Sequence, residues 1–157
     1  IIEELPVYIN GGERVLDLGT GSGILSMVAL REGAASVSAT DIDPATRDAV
    51  KENFERNDLP IDKMHLVIGD LSSDSEVQEE VGTGYDIVCA NILADIIIGM
   101  LPKIAKAIKR DGVLLTSGII DFKENEVKEA IETAGLKVIE INHQGEWVNI
   151  TAQKQAK

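Results

Sequence analysis

Short apolar runs alternate along this chain with longer stretches in which apolar residues return every three or four positions. Runs near 14–18, 36–40, 64–68, 85–90 and 113–117 predict five buried strands. The stretches between them predict amphipathic helices, and this alternation predicts an α/β fold: a mostly parallel sheet with helices on both faces. Asp43 before Pro44 supplies an N-cap with proline in the first turn, so a helix is expected over 43–57. Asp121 with Glu124 three residues later has the form of a capping box, and the helix it opens is expected to stop near Gly135. Beyond Gly135 the pattern changes. The segments 136–141 and 146–153 read as strands joined by the turn His143, Gln144 and Gly145, which predicts a terminal antiparallel hairpin. Seven strands in one sheet are therefore expected, in a single domain over 1–157. The polar tail 154–157 is expected to be disordered.

The chemistry concentrates where predicted strands end. Val15, Leu16, Asp17 and Leu18 enter a glycine-rich turn, Gly19, Thr20, Gly21, Ser22 and Gly23, that opens a helix. Such a turn brings backbone N–H groups close to a ligand, because glycine has no side chain in the way. A dinucleotide fingerprint would place its third glycine at residue 24, which is Ile24 here. An acid two residues before the first glycine repels a pyrophosphate and suits a cationic amino group. The ligand expected is S-adenosylmethionine, which carries an ammonium, a sulfonium and a ribose. Asp41, at the end of the second strand, is placed to accept both ribose hydroxyls, with a helix cap as the competing reading. Ile42 is open to two readings, a place against the adenine face or a core position. Asp70 and Leu71 follow the third strand and either receive the adenine amino group and flank its ring or form a turn or helix cap. Asn91 follows the fourth strand. Its amide oxygen can accept a hydrogen bond from an incoming amine and aim the amine's lone pair at a methyl group, or it is a turn residue.

Composition narrows the partners. Among 157 residues, 44% are hydrophobic, enough for the core of one domain. The net charge of −12 argues against a broad phosphate-binding surface, and the few aromatics are scattered instead of grouped as a base-stacking platform. No direct nucleic-acid binding is expected; the acidic balance reads first as the surface of a soluble cytosolic protein and would also favour a basic protein partner. Cys89, the single cysteine, lies in an apolar run and reads as a buried strand residue over a nucleophile, compatible with a reducing compartment. His65 and His143 are too far apart to form a local metal pair. The most apolar stretch, 92–108, is cut by Asp95, Pro102, Lys103 and Lys106, short of the roughly 20 residues a bilayer demands, so no membrane span is expected. Residues 1–9 carry Glu3, Glu4 and Pro6 without a basic leader and do not read as a cleavable signal. A cytoplasmic protein is the expectation, and the pattern fixes no oligomeric state.

Together the motifs resemble the ribosomal protein L11 methyltransferases of the PrmA type. The resemblance runs through VLDLGTGSGILS at 15–26, DIDP at 41–44, ANILAD at 90–95, SGI at 117–119 and GEW at 145–147. It implies the Rossmann-like class I methyltransferase fold, S-adenosyl-L-methionine as cofactor and methylation of amino groups, lysine side chains included, on a large-subunit ribosomal protein. Asp17, Gly19, Gly21, Asp41, Asp70 and Asn91 match the family's cofactor and active-site positions. Members of the family carry an amino-terminal substrate-recognition domain and an FGTGxHxTT segment, which precede the part this chain resembles. Enzymes acting on amide nitrogens or DNA amines place Asn-Pro-Pro-Tyr after the fourth strand. Here Ala94 stands in place of the aromatic, which favours an aliphatic amine. Two other readings compete: a methyltransferase of a small metabolite, and a cofactor-binding module without turnover.

Overall fold

The computed structural model describes residues 2–155. Five strands pair in parallel: β1 (Arg14–Leu18), β2 (Ser36–Asp41), β3 (Met64–Ile68), β4 (Tyr85–Asn91) and β5 (Ile108–Ser117). With β6 (Ile119–Ile120), β7 (Leu136–Gln144) and β8 (Trp147–Lys154) they form one sheet in the order β3-β2-β1-β4-β5-β8. β8 runs antiparallel to each of β5, β6 and β7. The helices are α1 (Leu5–Tyr8), α2 (Ile24–Arg31), α3 (Thr46–Arg56), α4 (Ser75–Val81), α5 (Ala94–Ala107) and α6 (Glu124–Thr133).

Alternation along the strands divides the core in two, because successive side chains point to opposite faces. On one face Val15, Ile87, Cys89 and Leu115 pack under Leu5 of α1 and Leu25 and Ala29 of α2, while Val50 and Phe54 of α3 cover Ala39. On the other, Leu16, Leu18, Val88 and Leu114 meet α4, α5 and α6 through Val77, Ile97, Leu101, Ile104, Val127 and Ile131. The central strands are buried on both sides, which explains why they read as nearly continuous apolar runs. Among the described residues no helix is long and apolar enough to cross a membrane.

The structure corrects several expectations. Among the described residues the sheet has eight strands, since β6 resumes pairing with β8 after Gly118 turns the chain at φ +80°. Near the end of β5 the Thr116 hydroxyl takes over the pairing with β8: it donates to Ile150 O (2.8 Å) and accepts the Ile150 N–H (3.1 Å). β5 starts at Ile108, earlier than expected. Ile108 pairs with Tyr85 across a bulge, and the polar residues 109–112, which resemble a turn in sequence, run along the strand with Asp111 at φ +68°. The capping box at Asp121 does not form. Asp121 enters a 3-10 turn, its N–H is drawn to Glu146 O in the hairpin loop (2.8 Å), and α6 begins at Glu124 without a side-chain cap. Asp43 does cap its turn through the Ala45 N–H (2.9 Å), although regular helix starts at Thr46. The hairpin loop is Gly145 and Glu146, later than expected, with Gly145 at φ +62°. Lys154 belongs to β8 instead of a disordered tail, and Ala156 and Lys157 lie outside the described residues.

Candidate cofactor and amine site

All the sequence-predicted site residues fall at the carboxyl edge of the parallel strands, where open α/β sheets bind ligands. Asp17, on β1, is only 1% exposed. Its Oδ2 accepts from Thr20 Oγ1 (2.7 Å) and Ser26 Oγ (2.8 Å), while Oδ1 is buried with no partner. Burial pushes its carboxyl up to about 6, opposed by the two hydroxyl hydrogen bonds and reinforced by the nearby charge of Asp41. A buried carboxylate with an unused lone pair is costly and is relieved by a cationic donor. Cys89 is its neighbour in register across β4, and burial with the Asp17 charge lifts that thiol well above its usual range, so it is no nucleophile.

The glycine loop is tied to β2 from both sides. Gly19 and Thr20 donate their N–H groups to Thr40 O (2.9 and 3.0 Å), and Gly21 donates to Asp41 Oδ2 (3.0 Å). Asp41 Oδ1 accepts the Asp43 N–H (3.0 Å), so this carboxylate is oriented by two backbone donors, while α3 starts without a side-chain cap and Asp43 holds the turn before it through the Ala45 N–H. Each loop glycine has its own reason. Gly19 holds φ +68° and a side chain there would strike Ile92; Gly21 (φ +56°) faces open space; Gly23 (φ +85°) lets α2 close on Val50 and Phe54.

Ile42 is 73% exposed beside Asp41, which excludes a core position. Asp70 Oδ1 accepts from the Ser72 hydroxyl (2.6 Å) and N–H (2.9 Å), which hold its carboxyl below the usual range. It forms a turn, and the cap of α4 is Asp74. Leu71 needs correction. Its side chain is 3% exposed and packs in the core with Val77 and Val81, while its carbonyl accepts from Gln78 Nε2 (2.9 Å). This follows from the short excursion between β3 and α4, which turns the first apolar residue after Asp70 inward.

Asn91 ends β4 beside Ser117 of β5, and two clefts lie in this region. One, of about 570 Å³, lies over Leu25, Asn91 and Ser117, with Asn142, His143 and Asn149 of the hairpin across it. The other, of about 230 Å³, is walled by Leu93, Gly118, Ile120 and Trp147, with Asp95 and Lys123 at its charged side. Gly118, in the lining of the smaller cleft, is close to Asn91, since a Cβ there would sit 3.3 Å from Asn91 Oδ1. Leu93 and Trp147 are 67% and 49% exposed. Among the described residues no cluster of His, Cys, Asp or Glu could hold a metal ion.

The family model for ribosomal protein L11 methyltransferase (PrmA) matches residues 1–155. The chain belongs to that family. The ribosomal protein L11 methyltransferase of Agathobacter rectalis is 57% identical over 99% of this chain and 50% of its own length, and that of Lachnospira eligens 45% identical over 99% and 49%. The chain thus spans about half the length of these curated relatives. The crystal structure of a ribosomal protein L11 methylase from Lactobacillus delbrueckii subsp. bulgaricus superposes with a TM-score of 0.88 at 27% identity, covering 98% of this chain and 76% of that one. Against this PrmA background the residues that sequence reasoning missed are Ser26, which donates to Asp17, and Leu93, Ile120, Lys123 and Trp147, which line the smaller cleft. Ser26 carried a signal, a small hydroxyl inside an apolar helix facing the acid nine residues earlier. Trp147 carried another, as a lone tryptophan directly after a turn.

Proposed function

We propose that this chain is the catalytic domain of a cytoplasmic enzyme that transfers methyl groups from S-adenosylmethionine to lysine-type amino groups of ribosomal protein L11. The observation that carries the reading is the placement of Asn91: an exposed amide at the carboxyl end of β4, next to Ile92, which lies against Gly19 of the glycine loop, and close to Gly118 in the lining of the smaller cleft. S-adenosylmethionine, when bound, supplies an electrophilic methyl group on a sulfonium. Asp17, through its unpartnered Oδ1, and the glycine loop would hold the cationic amino-acid end. Asp41 would accept the ribose hydroxyls, Ile42 would lie against the adenine, and Asp70 with the Leu71 backbone would take the adenine edge.

The chain's own residues then have to prepare the amine. A lysine ammonium has a pKa of about 10.4 in water and cannot attack while protonated. The Leu93 and Trp147 walls remove water from it and lower that value, which favours proton loss to solvent. Asn91 Oδ1 accepts an N–H from the neutral amine and fixes the direction of its lone pair. An amide suits this task better than a carboxylate, which would stabilise the unreactive ammonium. The test is Asn91→Ala in the protein that carries this chain, with radiolabelled cofactor and purified ribosomal protein L11. Turnover should fall by at least about tenfold while calorimetric affinity for S-adenosylmethionine stays within about twofold. Unchanged turnover would reduce Asn91 to a turn residue, and failure to bind the cofactor would remove the reading altogether.

A further inference from the structure

The Lys123 ammonium is placed oddly. It closes the 3-10 turn that leads into α6 and sits at the amino end of that helix, where the helix dipole disfavours positive charge. Glu124 and Glu126 in the first turn suit that end; a lysine does not. What Lys123 does there is reach two carboxylates, Glu126 on its own helix (3.1 Å) and Asp95 on the first turn of α5 (3.3 Å). These hold its ammonium above the ordinary lysine range. Lys123 and Asp95 both line the smaller cleft, whose other walls are apolar, and Asp95 itself is largely exposed.

We infer that Asp95 is the capture point for the alkylammonium group of the substrate and that Lys123 is a built-in competitor for it. In the free protein Lys123 neutralises Asp95. When a substrate ammonium reaches the mouth of the cleft, Lys123 gives up Asp95 and keeps Glu126, so neither cation is left without a counterion. The entering chain then lies between Leu93 and Trp147, with its amino end pointing toward Gly118 and Asn91. This arrangement selects for a compact cation on an apolar stem: a neutral alkyl group cannot displace Lys123, and an anion meets Asp95. The inference rests on the amine-methylation reading and adds the group that recruits the amine before it loses its proton.

Trp147 is the only tryptophan in the sequence, so its fluorescence reports on this cleft. The protein is titrated with n-butylammonium chloride, and with 1-butanol as the uncharged counterpart, at constant ionic strength. A saturable change with n-butylammonium and none over the same range with 1-butanol is expected. Lys123→Met keeps the apolar stem and removes the competitor, so it should tighten n-butylammonium binding about two- to fivefold, the scale of an exposed ion pair. Asp95→Asn should weaken it by a similar factor, and in the double variant the gain from Lys123→Met should vanish. A merely structural Lys123–Asp95 pair would give no gain in the single variant. Equal responses to the two probes, no response in the wild type, or a Lys123→Met gain that survives Asp95→Asn would overturn the inference. Cofactor calorimetry on the same samples separates the two ideas: S-adenosylmethionine binding with a failed titration removes the gate alone, and a successful titration without cofactor binding removes the methylation reading alone.

Discussion

The two edges of the sheet handle charge in opposite ways. At the amino edge the cations are spent on the fold. Arg14 donates to Thr83 O (3.0 Å) and lies over the Tyr85 ring, Lys109 pairs with Asp86, and Lys154 Nζ donates to Ala105 O (2.7 Å) and Ile108 O (2.9 Å) at the end of α5. At the carboxyl edge the prominent charges are carboxylates held by backbone N–H groups and hydroxyls: Asp41 by Gly21 and Asp43, Asp70 by Ser72, and Asp17 by Thr20 and Ser26. Such partners orient an anion without cancelling it. One edge is therefore closed electrostatically, and at the other these three carboxylates are prepared for a cation that the fold does not give them.

The sharpest way to break this contrast is Asp17→Asn, which removes the buried charge and keeps the shape. Lifting the carboxyl from its ordinary 3.8 to about 6 corresponds to a penalty of up to about 3 kcal/mol at neutral pH. The folded chain holds that proton more tightly than the unfolded one, so the contribution of Asp17 to stability falls as pH rises from about 4 to about 6 and is flat above. Asp17→Asn should flatten this descent and raise the denaturation midpoint at pH 7.5 while weakening S-adenosylmethionine. Urea titrations across that range, with calorimetry of the cofactor, measure both. A variant less stable than wild type at pH 7.5 would mean that Asp17 belongs to the closed kind of charge.

Asp41→Ala leaves two backbone donors and the proposed ribose hydroxyls without an acceptor. Cofactor binding should weaken by about 1–3 kcal/mol, with a smaller loss of stability. Isothermal calorimetry decides, and equal affinity would refute the ribose assignment. The amino edge should behave in the reverse sense. Lys154→Met strips the Ala105 carbonyl of α5 and the Ile108 carbonyl of β5 of their donor and should cost about 1–2 kcal/mol of stability, read by urea denaturation, with cofactor affinity unchanged. The smallest effect is expected for Asp70→Ala, about 0.5–1 kcal/mol of stability from the lost Ser72 hydrogen bonds. A cofactor loss larger than that would show that Asp70 serves the ligand beyond its turn.

The parts of the site that were legible in sequence are those whose partners are close along the chain or repeat a strand-turn-helix form. The glycine loop, Asp17 and Asp41 read correctly as a cluster because β1 and β2 are adjacent parallel strands, and parallel register brings their carboxyl ends together. The hairpin was visible because apolar alternation resumed without a helix between. What stayed hidden depends on pairings between distant segments. Leu93, Gly118 and Trp147 form one cleft only because β8 inserts beside β5, and the Thr116 hydroxyl bond to Ile150 cannot be seen from either segment alone. Leu71 misled for a local reason: an apolar residue next to a predicted ligand was assigned to the ligand, whereas the core claimed it. The failed box at Asp121 has the same lesson, since its backbone was already committed to Glu146.

The insertion of β8 between β5 and β7 also sets the order in which the molecule can be made. Parallel strands β1 to β5 can assemble as the chain emerges from the ribosome, but β5 and β7 have no partner on this side until residue 154 has been synthesised. Pairing a strand with two earlier ones, one of them separated from it by more than thirty residues, is a slow, non-local step. The Trp147 wall and the β6 pairing that frames Asn91 are therefore the last parts of the site to exist. Until then, the nascent domain carries a sheet edge whose neighbour has not yet been translated.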